Sequence, residues 1–246
     1  MGSLHLEAVT DADLLRRALD ALPDLPRWTE ARAILLSDCC SVFESAGGMA
    51  IRNDAPGGGL VALVGRPDPE RIELALADRP HRKLLCAPED EPHLAEHFPK
   101  WRRQRAVLHE LTAASRLAPT DSRVRPLASA DSLAHVPEAL REELERVPTD
   151  LPVVALFDGE AAVSFAYAYW RTERWFDISI DTLPDHRRRG CARIAVSELI
   201  RRECANGRQP VWGAIERNLA SLQLARSIGF TPTDSVVIAV RDANSD

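Results

Sequence analysis

The stretch Asp177-Ile-Ser-Ile-Asp-Thr-Leu-Pro-Asp-His-Arg-Arg-Arg-Gly-Cys-Ala192 concentrates the side chains of this chain that can do chemistry. Arg187, Arg188 and Arg189 lead into Gly190, Cys191 and Ala192, where an apolar pattern of helical period sets in. A helix that begins there presents unpaired N–H groups and the positive end of its dipole. Gly190 removes a side chain where an anion would approach, Ala192 keeps the next position small, and the guanidinium groups add charge. The combination reads as a phosphate site, against the plainer reading of a solvated arginine run. Before it, Asp177, Ser179 and Asp181 alternate with Phe176, Ile178 and Ile180, so the polar residues share one face of a strand. They are either proton-transfer groups or a wet strand face. Downstream, Glu216 ends a second apolar strand and Asn218 and Ser221 open the next helix, where Asn218 also suits an N-cap. Cys191 reads as small apolar filler in the arginine turn rather than as a nucleophile.

Other chemistries fit less well. His93-Leu-Ala-Glu-His97 matches the H-x-x-E-H pattern of inverted zinc peptidases. Pro92 and Pro99 confine that helix to a short span, no third-ligand motif accompanies it, and a surface helix with no metal is expected. The five cysteines are odd in number, and adjacent Cys39 and Cys40 offer no disulfide framework, which points to a reducing cytoplasm. A net charge of −6 over 246 residues gives no broad footprint for nucleic acid. The chain shows no apolar run long enough to span a bilayer and no basic-then-apolar leader, so neither membrane nor export is expected. Leu6 stands where a myristoylation motif needs Ser or Thr. Trp170, Trp175 and Trp212 read as core residues next to strands, with an acceptor pocket as the other use.

The elements that must position these groups are plainest after the polar seam Ala118–Arg123, which suggests domains at 1–120 and 121–246. Strands are expected at 123–127, 153–157, 161–170, 175–182, 210–216 and 235–241, with Asp158-Gly159 as a hairpin turn. Helices are expected over 131–147, over Leu219–Ile228 with Gly229 as its C′ residue, and from Arg187 to a stop at Asn206-Gly207. Ala192, Ala195, Val196, Leu199 and Ile200 give that last one its apolar face. The first half reads as alternating α/β: helices at 11–21, 29–36, 68–77 and 89–97, strands at 57–65, 82–86 and 105–111. Its order echoes the second half, as a degenerate duplicate would.

At this point the residues resemble a known family, the GNAT superfamily of acetyl-CoA-dependent N-acetyltransferases. Arg187-x-x-Gly190-x-Ala192 is similar to its pyrophosphate-binding signature, and Thr182-x-Pro184 stands where its Val-x-Pro usually stands. Its second motif follows in order: strand Val211–Ile215, then Asn218-x-x-Ser221, then Ile228-Gly229-Phe230. The resemblance covers about residues 122–241. It implies an α/β (α+β mixed) class, in which a GNAT fold with a mixed, mostly antiparallel sheet flanked by helices follows a smaller α/β domain. The strands at 175–182 and 210–216 would begin parallel and splay into a wedge.

The resemblance also implies a set of roles. Acetyl-CoA would lay its pyrophosphate on Arg187, Arg188, Arg189, Gly190, Cys191 and Ala192, with Asn218 and Ser221 nearby. Its pantetheine amides would pair with the main chain from Ile180 to Thr182, and Gly213 suits a close backbone approach. An amine would attack the thioester directly, Glu216 being the first choice of base and Asp177 or Asp181 the others. The family's usual tyrosine acid falls here on Ala225, which favours water, Ser221 or positioning alone. A small-molecule or amino-acid acceptor is expected, with the protein a monomer or homodimer; the layout is similar to glycine N-acyltransferase-like proteins. The second reading is a non-catalytic acyl-CoA-binding regulatory module.

Overall fold

The computed structural model describes residues 12–77, 79, 81–149 and 151–241. Asp11, expected to open the first helix, and the chain ends lie outside them. The chain forms two compact units. One takes residues up to Pro23, Glu30–Arg105 and residues from Ser235 on; the other takes Asp24–Thr29 and Ala106–Asp234. The seam therefore falls at 105/106 rather than 120/121, and each unit borrows a segment from the far end of the chain.

The first unit contains α1 (Ala12–Ala21), most of α2 (Thr29–Leu36), β1 (Cys40–Ser45), β2 (Gly48–Asn53), β3 (Leu60–Gly65), α3 (Pro69–Leu76), β4 (Lys83–Cys86), α4 (Glu91–His97) and the start of β5 (Trp101–Leu111). The β1–β2 hairpin lies in a stretch for which the sequence reading places no element. Its turn needs Gly47, since a Cβ there would fall 2.2 Å from the Arg66 carbonyl oxygen. β2 pairs antiparallel with β3, and β3 pairs parallel with β4 across α3. Ala50, Val61, Leu63, Ile72, Leu84, Leu94 and Trp101 form the core.

The second unit continues with β6 (Val124–Pro126), α5 (Glu138–Glu145), β7 (Val154–Asp158), β8 (Ala161–Tyr167), β9 (Trp175–Asp177), β10 (Ser179–Thr182), α6 (Cys191–Ala205), β11 (Gln209–Ile215), α7 (Leu219–Ile228) and β12 (Phe230–Arg241), whose last residues belong to the first unit. β10, β8, β7 and β6 make one antiparallel sheet. β9 pairs parallel with β11, and β11 pairs antiparallel with β5 through Val211↔Glu110 to Ile215↔Ala106. On one face lie α6 and α7, burying Ala195, Val196, Leu199, Ile200, Ala225 and Ile228 against Phe176, Trp212 and Phe230. At roughly 1.5–3 kcal/mol for each large side chain, this is the main anchor of the helix that follows the arginine turn. The helix expected over 131–147 shortens to α5, which packs on the opposite face through Leu144 against Phe165 and Tyr167.

The two halves repeat one order: a hairpin, a strand antiparallel to it, a helix, a parallel strand, a second helix and a closing strand. The closing strands are exchanged. Val237–Ala239 of β12 pair with β4, while Ala106–Glu110 of β5 pair with β11.

Gly229 closes α7 at φ +111, and its N–H donates to the Ala225 and Arg226 carbonyls. Its carbonyl accepts from the Thr112 and Ala113 N–H groups at 3.0 and 3.1 Å, and a Cβ would fall 2.4 Å from the Ala113 oxygen. Gly229→Ala therefore combines left-handed strain with a backbone clash, and should lower stability by more than about 2 kcal/mol in denaturant unfolding. Ser227→Ala, on the exposed side of the same helix, should stay near wild type.

Candidate functional site

The strand expected as one piece over 175–182 is two. β9 is bonded to β11 only at Trp175–Asp177, and the Ile178 N–H gives the last bond of that pairing, to the Val211 carbonyl at 3.2 Å. Beyond it β10 turns away and pairs with β8, from Ser179↔Tyr167 to Thr182↔Ser164. β9 and β11 thus start together, and the chain forks at Ile178. Antiparallel pairs alternate, and the Leu183 N–H donates to the Val163 carbonyl at 3.0 Å. Residues 179, 181 and 183 therefore face β8 with their main-chain groups, and Ile180 and Thr182 turn theirs to the open edge of the fork. Thr182 and Ser164 hydroxyls lie 2.7 Å apart, and the buried Ser164 hydroxyl donates to the Asp181 carbonyl at 3.2 Å, pinning the strand from its paired side.

From this edge the chain passes through Leu183 and the short turn Pro184–His186 into the arginines. Arg187 Nε donates to the Thr182 carbonyl at 3.0 Å, tying the turn to the strand. Arg188 has φ 60 and is the single non-glycine residue with positive φ among the described residues; Gly190 has φ 79. Such left-handed positions turn successive N–H groups toward one concave side, and strain in a non-glycine residue belongs to functional sites more than to ordinary turns. No side chain caps α6 at Gly190, and a Cβ built there meets nothing within 4 Å. Arg187, Arg188, Arg189 and Gly190 are all exposed, and no carboxylate is ion-paired with these arginines among the described residues. In a chain of net charge −6, three exposed guanidinium groups over an open helix start can cradle an anion. Cys191 is buried in the core below with its thiol, so only its main chain faces the cradle. Ala192 is half-buried as the small second residue of α6.

The carboxylates divide. Phe176, Ile178 and Ile180 pack on the α6 side, leaving Asp177 and Asp181 on the α5 side. Asp177 sits at the fork beside Gly213, within 4.0 Å of where that glycine's Cβ would be. Burial pushes its carboxyl up to about 6, against the pull of the Ile178 and Gly213 N–H groups. Asp181, half-buried, is also raised, first by burial and then by Glu143, while Tyr167 and Arg187 lower it. Glu216 lies exposed in the turn after β11. The structure thus brings Asp177 and Asp181 to the fork and its open strand, and leaves the first-choice base in the turn that follows. Gly213 is itself exposed at the fork, with only ordinary contact for a Cβ, from Leu108 at 3.5 Å.

Asn218 caps α7 by accepting the Ser221 N–H at 3.2 Å, and Ser221 Oγ accepts from Trp212 Nε1 at 2.9 Å. Trp175 and Trp212 are core residues. Ala225 is wholly buried between α7 and the sheet, so a tyrosine has no room there. His93 and His97 each donate to a carbonyl, of Pro67 and of His93, both at 2.9 Å. All cysteines are free, and burial first of all pushes Cys40 up to about 11 and Cys86 up to about 12, far from thiolate reactivity. No helix among the described residues is long and apolar enough to cross a membrane. Sequence reasoning missed Tyr167 and Glu143, which meet at Asp181; only the β8–β10 register and the docking of α5 reveal them.

The raised Asp177 gives a stability signature. A folded-state value above the unfolded one means the folded protein holds the proton longer, so this stabilising effect is present at low pH and is lost as pH rises from about 4 to about 6. Unfolding in denaturant across that window should show wild type losing stability relative to Asp177→Asn, with the two curves parallel above about pH 7. Parallel curves throughout would place the ionised carboxylate in water.

Residues 153–237 match the family model described as GNAT acetyltransferase. Among solved structures, a GCN5-related N-acetyltransferase-like protein from Streptococcus suis 89/1591 is similar with a TM-score of 0.66 at 16% identity, covering 94% of this chain and 99% of that one. A GCN5-related N-acetyltransferase from Kribbella flavida is similar with a TM-score of 0.62 at 13% identity, covering 92% and 96%. At such identities the likeness is one of fold, and it extends over both halves. No curated protein matches the chain. The fork, the uncapped helix and the arginine turn all fall in the segment that matches the GNAT acetyltransferase family model, and the C-terminal half of this chain has the GNAT fold.

Proposed function

We propose that the protein moves an acetyl group from acetyl-CoA to a primary amine, of a small molecule or amino acid, by direct attack in a ternary complex. The observation that carries this reading is the conjunction, within 178–192, of an open strand edge and an uncapped, arginine-rich helix start. The pyrophosphate is held by the main chain of Gly190, Cys191 and Ala192 with Arg187, Arg188 and Arg189 around it; Asn218 and Ser221 line the facing helix start. The pantetheine amides pair with Ile180 and Thr182 as an added strand would. Positioning of the two reactants lowers the barrier by up to about 7–11 kcal/mol. A main-chain N–H near Thr182 donates to the developing oxyanion. The ammonium proton passes to a carboxylate of the α5 face, Asp177 or Asp181, rather than to Glu216. With Ala225 buried, Ser221 is the hydroxyl assigned to the leaving thiolate, since its oxygen accepts from Trp212 and its own proton remains to give. The acceptor is neither nucleic acid nor membrane, and the protein works in the cytoplasm as a monomer or homodimer.

Among the described residues the first half shows no second cradle: β3 reaches α3 through Arg66, Pro67 and Asp68, and Arg66 is taken by Asp90 at 3.2 Å. Calorimetry should therefore find one acetyl-CoA per chain, followed by amine-dependent thiol release across a panel of amines. The buried Ala225 favours a second reading, a non-catalytic acyl-CoA sensor. Binding without thiol release from any amine would establish that reading, and absence of binding would overturn both.

A further inference from the structure

Asp181 is joined to a second carboxylate through one phenol. The Tyr167 ring is wholly buried in the core under α5, and its Oη lies 2.7 Å from Glu143 Oε1 and 3.3 Å from Asp181 Oδ2. A phenol has one proton to give, and the shorter contact takes it, so Tyr167 donates to Glu143. Its lone pairs are then left for Asp181, which can donate to them once it carries a proton. Asp181 is half-buried on the strand that edges the fork, while Glu143 is exposed on α5. The three groups are thus joined in the order Asp181, Tyr167, Glu143, and the last of them reaches solvent. Burial, then Glu143, then Asp181 push the Tyr167 phenol far above its ordinary range, so the hydroxyl stays neutral and can only exchange one proton for another. Asp177, by contrast, is surrounded at the fork by the main-chain donors of Ile178 and Gly213.

We infer that Asp181 takes the acceptor's ammonium proton and that Tyr167 and Glu143 carry it out of the filled wedge. This rests on the acyl-transfer reading above. The N–H bond of the ammonium group breaks and its proton goes to Asp181 Oδ2, leaving a neutral amine. The Asp181 proton then moves to Tyr167 Oη as the Tyr167 proton moves to Glu143 Oε1, and Glu143 releases it to water. Rotation of the phenolic O–H restores the starting arrangement. The amine's second lost proton accompanies the thiolate, so each turnover gives amide, thiol and one solvent proton. Asp181 is the catalytic residue in this scheme; Tyr167 and Glu143 act through it. The charged groups that face Asp181 are Glu143 from α5 and Arg187 from the loop before α6, with the Tyr167 phenol between.

The test uses the full chain and thiol release with acetyl-CoA and an active amine. Tyr167→Phe and Glu143→Gln should lower kcat near pH 7 by about 10-fold, less than the roughly 10²- to 10⁴-fold of a whole proton-transfer step because Asp181 itself remains, with KM for acetyl-CoA unchanged. The deficit should close toward about pH 9, where more amine arrives neutral, and Glu143→Asp should recover part of the rate. A merely structural role for Tyr167 would lower kcat equally at all pH values and would overturn the relay. Wild-type rates and profiles in both variants, or a loss confined to Asp177→Asn, would overturn the relay while leaving acyl transfer standing. Wild type that releases no thiol with any amine overturns acyl transfer, and the relay with it.

Discussion

Gly190→Glu should abolish acetyl-CoA binding, weakening it by about 100-fold or more in calorimetry, while the chain still unfolds in one cooperative step. Two effects combine. At φ 79 a side chain pays left-handed strain of about 1–2 kcal/mol, felt as a modest loss of stability. Since a Cβ there meets nothing within 4 Å, no clash adds to it and the fold survives. The new carboxylate, however, stands in the mouth of the cradle, where it pairs with the arginines intended for phosphate and repels the incoming anion. Each charge-assisted hydrogen bond to a phosphate oxygen is worth about 1.5–3 kcal/mol, so loss of one or two accounts for the fold-change. Gly190→Ala supplies the control: it carries the strain without the charge, and should bind far better than the glutamate variant. Wild-type affinity should also fall as salt is raised. Undiminished binding by Gly190→Glu would remove the anion site from this turn.

The sequence showed most of this site because its determinants are local. Arg187, Gly190 and the apolar period of Ala195, Val196, Leu199 and Ile200 lie within one turn and one helix, and a left-handed glycine before a helix is legible from type and spacing. α7 was legible to the residue for the same reason, Asn218 before it and Gly229 after it. What failed was non-local. Whether 175–182 is one strand or two depends on which neighbour each part finds, and the alternation of Asp177, Ser179 and Asp181 runs straight through the fork. Glu216 looked like the end of a strand aimed at the reaction, yet β11 stops at Ile215 and leaves it in solvent. Tyr167, Glu143 and Asp181 come from three elements, and no spacing rule links them. The exchange of closing strands was invisible too, because a strand's propensity carries no address.

That exchange should leave the fragment 121–246 unable to fold cooperatively by itself. Without β5, β11 loses its antiparallel partner from Ala106 to Glu110, with the buried Ala106, Leu108 and His109 that go with it. The fragment also lacks the segment 24–29. Asp24 accepts from Thr172 Oγ1 at 2.7 Å and the Arg174 N–H at 3.0 Å, and Arg27 grips Asp234 with two bonds at 2.6 and 2.7 Å. At about 0.5–1.5 kcal/mol net per hydrogen bond, and more for buried side chains, the sum exceeds about 5 kcal/mol. Domain stabilities lie at about 5–15 kcal/mol, so this loss is enough to abolish cooperative folding or bring it to the margin. The bared β11 edge adds an invitation to aggregate. Expressed by itself, 121–246 should be insoluble or lack a cooperative transition, whereas the full chain should melt cooperatively and bind acetyl-CoA. Co-expression with 1–120, which restores both missing segments, should recover soluble, acetyl-CoA-binding protein. A fragment 121–246 that folds and binds like the full chain would mean that β5 and the 24–29 segment are ornaments of the second unit rather than parts of it.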